Sequence, residues 1–302
     1  MLFDSVDEFL FLDIKDKYWG DLVNILRLRT FLKQKGISKV VFNTFAGKAL
    51  KLFLLINRSI EVFGVVHSIS KLKKRYLVGA LGRQIKGYFL LNDYLLPHCP
   101  VGIENVETFY PIFFPKYEID APEKADGELW VCIPGALEYK RRDYLRLIDL
   151  IDDGLDKRVR FVLLGNGFHK HGDGPDFQAR VCGNERFILF DHYVDDELFH
   201  SYLSCSDLIM PLNGTREQYQ DDSISGAINL AFSYQIPMVV EEIFREVDDF
   251  KVSSFFYDKN LVELLNYLCE QRDEVLQKSE DISAFFKFDL RYQAEKYTNF
   301  IR

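Results

Sequence analysis

The chain has 302 residues, a length that suits two domains of about 150 residues better than a single doubly wound unit. Apolar residues make up 48% and charged ones 28%, so two cores can be filled and a disordered linker is excluded. The formal net charge of −8 argues against nucleic acid as a partner, yet it hides an asymmetry: residues 1–120 carry about +5 and residues 121–302 about −13.

In chain order, the first half alternates β-branched and aromatic runs with amphipathic stretches. Candidate strands are 8–14 (EFLFLDI), 39–42 (KVVF), 60–66 (IEVFGVV), 87–91 (GYFLL) and 106–110 (VETFY). Between the first two, residues 18–36 place Leu22, Ile25, Leu26 and Leu32 at helical spacing and stop at Gly36, which predicts a strand–helix–strand crossover. Pro111, Pro115 and Pro122, followed by the charged stretch 123–128, mark a domain boundary.

Beyond it the alternation restarts. Strands are expected at 129–133, 160–164, 187–190, 208–210, 237–240 and 253–256, with helices at 140–153, 195–204, 225–234 and 259–275. Two successive α/β domains with mostly parallel sheets follow, and ligands of such sheets bind outside the carboxyl ends of the strands. The longest apolar runs, such as 50–56 with its Lys51, fall far short of the ~20 residues that span a membrane. The acidic opening Met1-Leu2-Phe3-Asp4 lacks the basic region of a secretion signal. Cys99, Cys132, Cys182, Cys205 and Cys269 are odd in number and form no CxxC pair, so reduced thiols and a cytoplasmic location are expected.

Several post-strand loops carry candidate chemistry. After 129–133 comes Pro134-Gly135-Ala136-Leu137-Glu138-Tyr139-Lys140-Arg141-Arg142, a glycine turn followed by three cations. Glycine lets backbone approach an anion and Lys or Arg donates charge-assisted hydrogen bonds to phosphate, although a basic run at a helix start equally suits a solvated face. The next strand ends in Gly165-Asn166-Gly167, a tight turn. In 221–231 (DDSISGAINLA), Ser223 or Ser225 suits an N-cap, Gly226 clears space at the first turn, and a helix start there would attract phosphate through its unpaired N–H groups. His67 directly follows the strand 60–66, next to Ser68 and Ser70, where it would orient a hydroxyl or stabilise charge. His169 and His171 have no carboxylate or cysteine at ligand spacing, so no metal site is expected. Residues 71–86 hold six cations and no acid, interleaved with Leu72, Tyr76, Leu77 and Leu81, which suits either a solvated face or contact with an anionic membrane surface.

Taken in order, IPGALEYKRRDYLRLIDLI, RFVLLGNG, ERFILFDHYVDDELFHSYLSCSDLIMPL and SISGAINLAFSYQIPMVVEE resemble the nucleotide-sugar-binding half of GT-B glycosyltransferases, most nearly family 4 of bacterial polysaccharide biosynthesis. The agreement of order and spacing runs over about residues 129–242. The first half is similar to the acceptor-side domain more loosely, through VVFNT, IEVFGVVHSIS, KGYFLLNDYLL and NVETFYPIFFP. The resemblance implies two Rossmann-like domains, 1–120 and 121–285, and a closing helix over 286–302 that packs on the first, with the first domain starting one strand late.

The resemblance also assigns roles. Gly135, Lys140, Arg141 and Arg142 match residues that bind the donor diphosphate, together with Gly165, Asn166, Ser223, Ser225 and Gly226. Residues 191–194, including Tyr193, pass along the nucleobase, and His67 matches a histidine near the donor sugar. Such enzymes use no metal; a UDP- or GDP-sugar is the substrate and cationic residues stabilise the departing diphosphate. The family's paired glutamates, eight positions apart, fall here on Asp221 or Asp222 and on Asn229 or Leu230, and the arginine expected after Gly135 is Ala136. The expected function is transfer of a sugar from a nucleotide donor to a capsule, lipopolysaccharide or similar glycan or lipid-linked acceptor, with His67 and Asp222 as catalytic candidates. The altered acid pair keeps a non-catalytic nucleotide-sugar-binding partner as the alternative, and a nucleotide-sugar epimerase as a third.

Overall fold

The computed structural model describes residues 8, 10–15, 18–73, 80–113, 122–213 and 221–302. The chain divides into two units: one made of Met1–Pro111, Gln220–Ile224 and Arg291–Arg302, the other of Ile112–Tyr219 and Ser225–Leu290.

The first unit runs α1 (Tyr18–Gln34), β1 (Lys39–Phe42), α2 (Lys48–Ile56), β2 (Glu61–Val66), β3 (Ile85–Leu90) and β4 (Val106–Thr108). Its four strands form one parallel sheet in the order β1-β2-β3-β4, with Val40 opposite Val62 and Phe89 opposite Glu107. The strand expected at 8–14 is not formed among the described residues, which are irregular there. Lys15 N–H donates to the buried Asp21 carboxylate at 2.8 Å and Asn24 donates to Asp13 O at 2.7 Å, so this stretch is tied to α1. The expected crossover from it is therefore corrected. The crossover into β2 is made by α2, a helix the sequence pattern hid because KALKLFLLI reads as a short apolar run broken by Lys51.

One face of this sheet packs on Ile25, Leu32, Leu50, Phe53 and Leu54 of the two helices. Phe63 and Phe89 on the other face meet aromatic residues near the chain's end, where Phe89 stacks on Tyr297 at 4.5 Å and lies edge-on to Phe300 at 4.9 Å. Aromatic pairs of this kind add roughly 0.5–1.5 kcal/mol beyond the area they bury.

The second unit runs β5 (Leu129–Cys132), α3 (Arg146–Asp152), β6 (Val159–Val162), α4 (Gly174–Arg180), β7 (Phe187–Ile188), α5 (Asp196–Ser204), β8 (Leu208–Ile209), α6 (Gly226–Tyr234), β9 (Met238–Glu241), α7 (Asp248–Ser253), β10 (Ser254–Tyr257), α8 (Leu261–Glu270) and α9 (Arg272–Ala284). A last helix, α10 (Leu290–Ile301), carries Tyr297 and Phe300. The six strands are parallel, in the order β10-β9-β8-β5-β6-β7. Strand order reverses between β5 and β8, and the crevice outside the carboxyl ends at such a switch point is where open α/β sheets bind ligands. Leu129, Val131, Phe161, Phe177 and Leu208 lie in the core, fully buried, each contributing about 1.5–3 kcal/mol by leaving water.

Two expected helices differ in extent. The stretch 140–153 is helical only over α3, the stretch 259–275 is broken into α8 and α9 at Gln271, and α4 was not expected at all. All five cysteines are free thiols, and burial pushes Cys132 up to about 12. Among the described residues no helix is long and apolar enough to cross a membrane.

Candidate functional site

In the second unit the turns after β5 and β6 meet backbone to backbone. Gly135 holds φ +114, a left-handed conformation open mainly to glycine, and its N–H donates to Leu164 O at 2.9 Å. The first carbon of any side chain at Gly165 would stand 2.2 Å from Gly135 O, so the two loops approach this closely only because position 165 is glycine. Asn166 Oδ1 accepts from Phe168 N–H at 2.9 Å, which makes its side chain part of the same turn.

The three cations that follow have different environments. The Arg142 guanidinium folds back to donate to Pro134 O and to Tyr144 Oη at 3.3 Å, and Tyr144 in turn donates to Ala136 O at 3.1 Å. This local network holds the chain in a turn where a helix was expected. Lys140 is exposed and pairs with Glu138 at 3.0 Å. Burial alone would raise the Glu138 carboxyl, but the Lys140 hydrogen bond and the charges of Lys140, Arg141 and His169 outweigh it and hold it below the ordinary carboxylate range. Arg141 is exposed, and its guanidinium makes no hydrogen bond or ion pair with a described residue.

The start of α6 lies on the segment that returns from β8. Ser225 occupies the N-cap position, but its hydroxyl makes no capping bond, so the first-turn N–H groups lack the side-chain acceptor that such a residue usually supplies. A side chain at Gly226 would meet nothing within 4 Å among the described residues. Asn229, one turn on, is buried, yet its Oδ1 accepts no hydrogen bond. After β7, Tyr193 is 70% exposed, and Asp191 accepts from His192 at 2.7 Å.

In the first unit the loop after β2 carries His67, and its residues Ser68 and Ser70 meet the distant segment that holds Asp222 and Ser223. His67 Nε2 lies 2.7 Å from Asn43 O; a carbonyl only accepts, so Nε2 carries the proton and a neutral ring leaves Nδ1 as an acceptor. Ser68 forms an antiparallel bridge with Ser223, and Tyr94 Oη donates to Ser223 O at 3.0 Å. The Asp222 carboxylate accepts from Ser68 Oγ and, at 2.6 Å, from Ser70 N–H. Partial burial would raise Asp222, but these hydrogen bonds and the Lys73 charge prevail and hold it below the usual range.

Two further expectations meet the structure here. Of the 71–86 stretch, 74–79, with Tyr76 and Leu77, lie outside the described residues, while Leu72 is fully buried in the core and so is not part of any membrane-facing surface. His169 lies 3.4 Å from Glu138, a carboxylate its sequence neighbours did not reveal, but no group of three or more metal-ligating side chains occurs among the described residues. A cavity of about 590 Å³ lined by Glu128, Trp130 and Arg160 opens at the amino ends of β5 and β6, where Arg160 and Glu128 already pair at 2.7 Å. The residue that sequence reasoning missed is Asn213, buried just after β8 with an Oδ1 that accepts no hydrogen bond. An asparagine among apolar residues at a strand's carboxyl end, in SDLIMPLN, was the available signal.

No family model matches the chain, and no curated protein matches it in sequence. Solved structures do. A glycosyltransferase from Rickettsia africae ESF-5 is 12% identical with a TM-score of 0.62, covering 96% of this chain and 83% of that one. Anabaena HepE in complex with UDP is 13% identical with a TM-score of 0.63, over 91% and 80%. A putative UDP-N-acetylglucosamine 2-epimerase from Listeria monocytogenes is 12% identical with a TM-score of 0.56, over 95% and 80%. At such identities the likeness speaks for the fold, which is α/β with two parallel sheets, the GT-B architecture.

Proposed function

We propose that the chain binds a nucleotide sugar, UDP- or GDP-linked, and transfers its sugar to a glycan or lipid-linked acceptor of cell-surface polysaccharide, in the manner of family 4 transferases. What carries this reading is the switch point of the second sheet. There the glycine turns of Gly135 and Gly165 bring two post-strand loops into close approach, and the α6 start without a side-chain cap offers backbone N–H groups in the manner of a phosphate site. A solved relative of the same fold holds UDP.

In this reading Arg141 and Lys140 stabilise the departing diphosphate, with the N–H groups after Ser225 and Gly226 as further donors, and the sugar keeps its configuration. Arg142 shapes the loop that presents them. Tyr193 lies along the nucleobase, Asn229 accepts from a donor hydroxyl, and His67 receives a hydroxyl proton through Nδ1. Transfer needs no metal, because the cations and the helix start supply the positive charge. The enzyme works in the cytoplasm, with the basic first half toward an anionic, membrane-borne acceptor.

One observation favours the non-catalytic alternative. Both oxygens of Asp222, the nearest counterpart of the family's first glutamate, already accept hydrogen bonds from Ser68 and Ser70. The deciding measurement is thermal unfolding with UDP and GDP in the absence of magnesium, followed by hydrolysis assays over a donor panel. A rise of several degrees at 100-fold excess over Kd, about 2.7 kcal/mol of linkage, is expected for the cognate nucleotide. No rise with any nucleoside diphosphate sinks the reading, and tight binding without turnover of any donor selects the partner protein.

A further inference from the structure

Asn213 is 3% exposed and its amide oxygen has no hydrogen-bond partner. An acceptor removed from water and left unpaired lowers the stability of the folded chain, so natural proteins keep few of them, and each that is kept calls for a functional reason or a partner such as a water, an ion or a ligand. In the second unit three such side-chain atoms occur among the described residues: Asn213 Oδ1, Asn229 Oδ1 and Arg272 Nη1. Arg272 belongs to a structural cluster, since its other terminal nitrogen pairs with Asp207, which also accepts from the Trp130 N–H at the start of β5. The two asparagines have no such network.

Position separates Asn213 from an ordinary packing defect. β5 and β8 pair in parallel with Cys132 opposite Ile209, and Met210 N–H donates to Cys132 O at 2.8 Å. The chain therefore leaves the two strands side by side, toward Gly135 on one and Asn213 on the other, at the point where strand order reverses. Leu212 holds φ +51, a left-handed conformation uncommon for a branched residue, and this turn delivers Asn213 inward while the sequence moves on.

We infer that Asn213 is a ligand-binding residue whose Oδ1 accepts a hydrogen bond from a hydroxyl of the nucleotide sugar, on its ribose or on its hexose. This rests on the nucleotide-sugar reading above. A neutral amide oxygen suits an O–H donor and repels a phosphate oxygen, so Asn213 complements the cations on the neighbouring loop. It selects for a ligand that bears hydroxyls as well as phosphates.

The test compares wild type with Asn213→Leu, of similar size, and Asn213→Ser, by thermal unfolding and by titration with the nucleotide the wild type binds, UDP or GDP, and with its glucose or mannose conjugate. Removing an unpaired buried acceptor should leave the free protein as stable or raise its Tm by roughly 2–4 °C in Asn213→Leu. Nucleotide-sugar affinity should fall about tenfold in both variants. Loss already seen with the bare nucleotide places the bond on the ribose, and loss only of the affinity added by the sugar places it on the hexose. Unchanged affinity for both ligands overturns the inference while leaving the nucleotide-sugar reading standing. A lowered Tm of the free protein in both variants overturns it too, because Asn213 would then serve the fold. A wild type that binds neither nucleotide removes the reading and the inference together.

Discussion

In the first unit the loop after β2 is closed on itself: His67 donates to Asn43, Ser68 and Ser70 hold Asp222, and Tyr94 holds Ser223. The loops after β5, β6 and β8 in the second unit are different. Arg141 faces solvent, Ser225 leaves α6 without a side-chain cap, and Asn213 and Asn229 keep unpaired oxygens. Polar groups that satisfy one another stabilise a shape, whereas groups left unsatisfied weaken the free protein and are available to a ligand. The contrast is between post-strand loops: those of the second unit keep polar groups available to a ligand, while the Asp222 clasp of the first has both carboxylate oxygens already paired.

The largest effect should come from the contact that builds the second unit's loops. Gly165→Ala puts a carbon 2.2 Å from a backbone oxygen that has no flexible side chain to yield, so a stability loss of about 1–3 kcal/mol in urea unfolding is expected, together with loss of the nucleotide response. A change below about 0.5 kcal/mol, within the range of ordinary surface substitutions, would show that the two turns do not pack on each other.

A smaller split should separate two adjacent cations. Arg142→Ala removes hydrogen bonds to Pro134 O and Tyr144 and should cost the free protein about 1.5 kcal/mol. Arg141→Ala should leave its stability within about 0.5 kcal/mol and remove most of the nucleotide-induced rise in Tm. Equal behaviour of the two variants, in stability or in response, would erase the distinction between the residue that shapes the loop and the one proposed to meet the phosphates.

Much of this was legible in the sequence, and unevenly so. The second sheet was readable because each strand is short, apolar and bounded by turn residues, as in LWVC before Pro134-Gly135. The first unit was harder: EFLFLDI has strand composition but is tied to α1, and KALKLFLLI is a helix whose short apolar run conceals its period. At the site, the glycine turns and the basic run stand out as types, but what each side chain does depends on a partner distant in sequence. Nothing near Arg142 announces that it turns toward Pro134, and nothing in DDSISG announces that Asp222 is held by a loop 154 residues away. Unpaired groups are legible only after everything else has found its partner, which is why Asn213 was missed.

The smallest effect tests the clasp itself. Because the Asp222 carboxyl sits below its ordinary value of ~3.9 when folded, its contribution is fully present above that pH and is lost as pH falls through the lower folded value. Asp222→Asn keeps the shape and removes the charge, so wild type should exceed it by about 1 kcal/mol near pH 7, a figure already reduced for the partial exposure of the group. The gap should narrow as pH falls below about 4, where the unfolded chain takes up its proton first, and close once pH falls below the lower folded value. Urea unfolding of both proteins at pH 7 and pH 3 measures this, and a gap that does not change with pH would mean that the charge plays no part in holding the loop. Turnover supplies the other half of the comparison. A carboxylate that only positions the loop beside His67 should on replacement change stability and activity together, whereas one that acts on the sugar should lose activity with stability unchanged, which would return Asp222 to the catalytic role that its place in the sequence suggests.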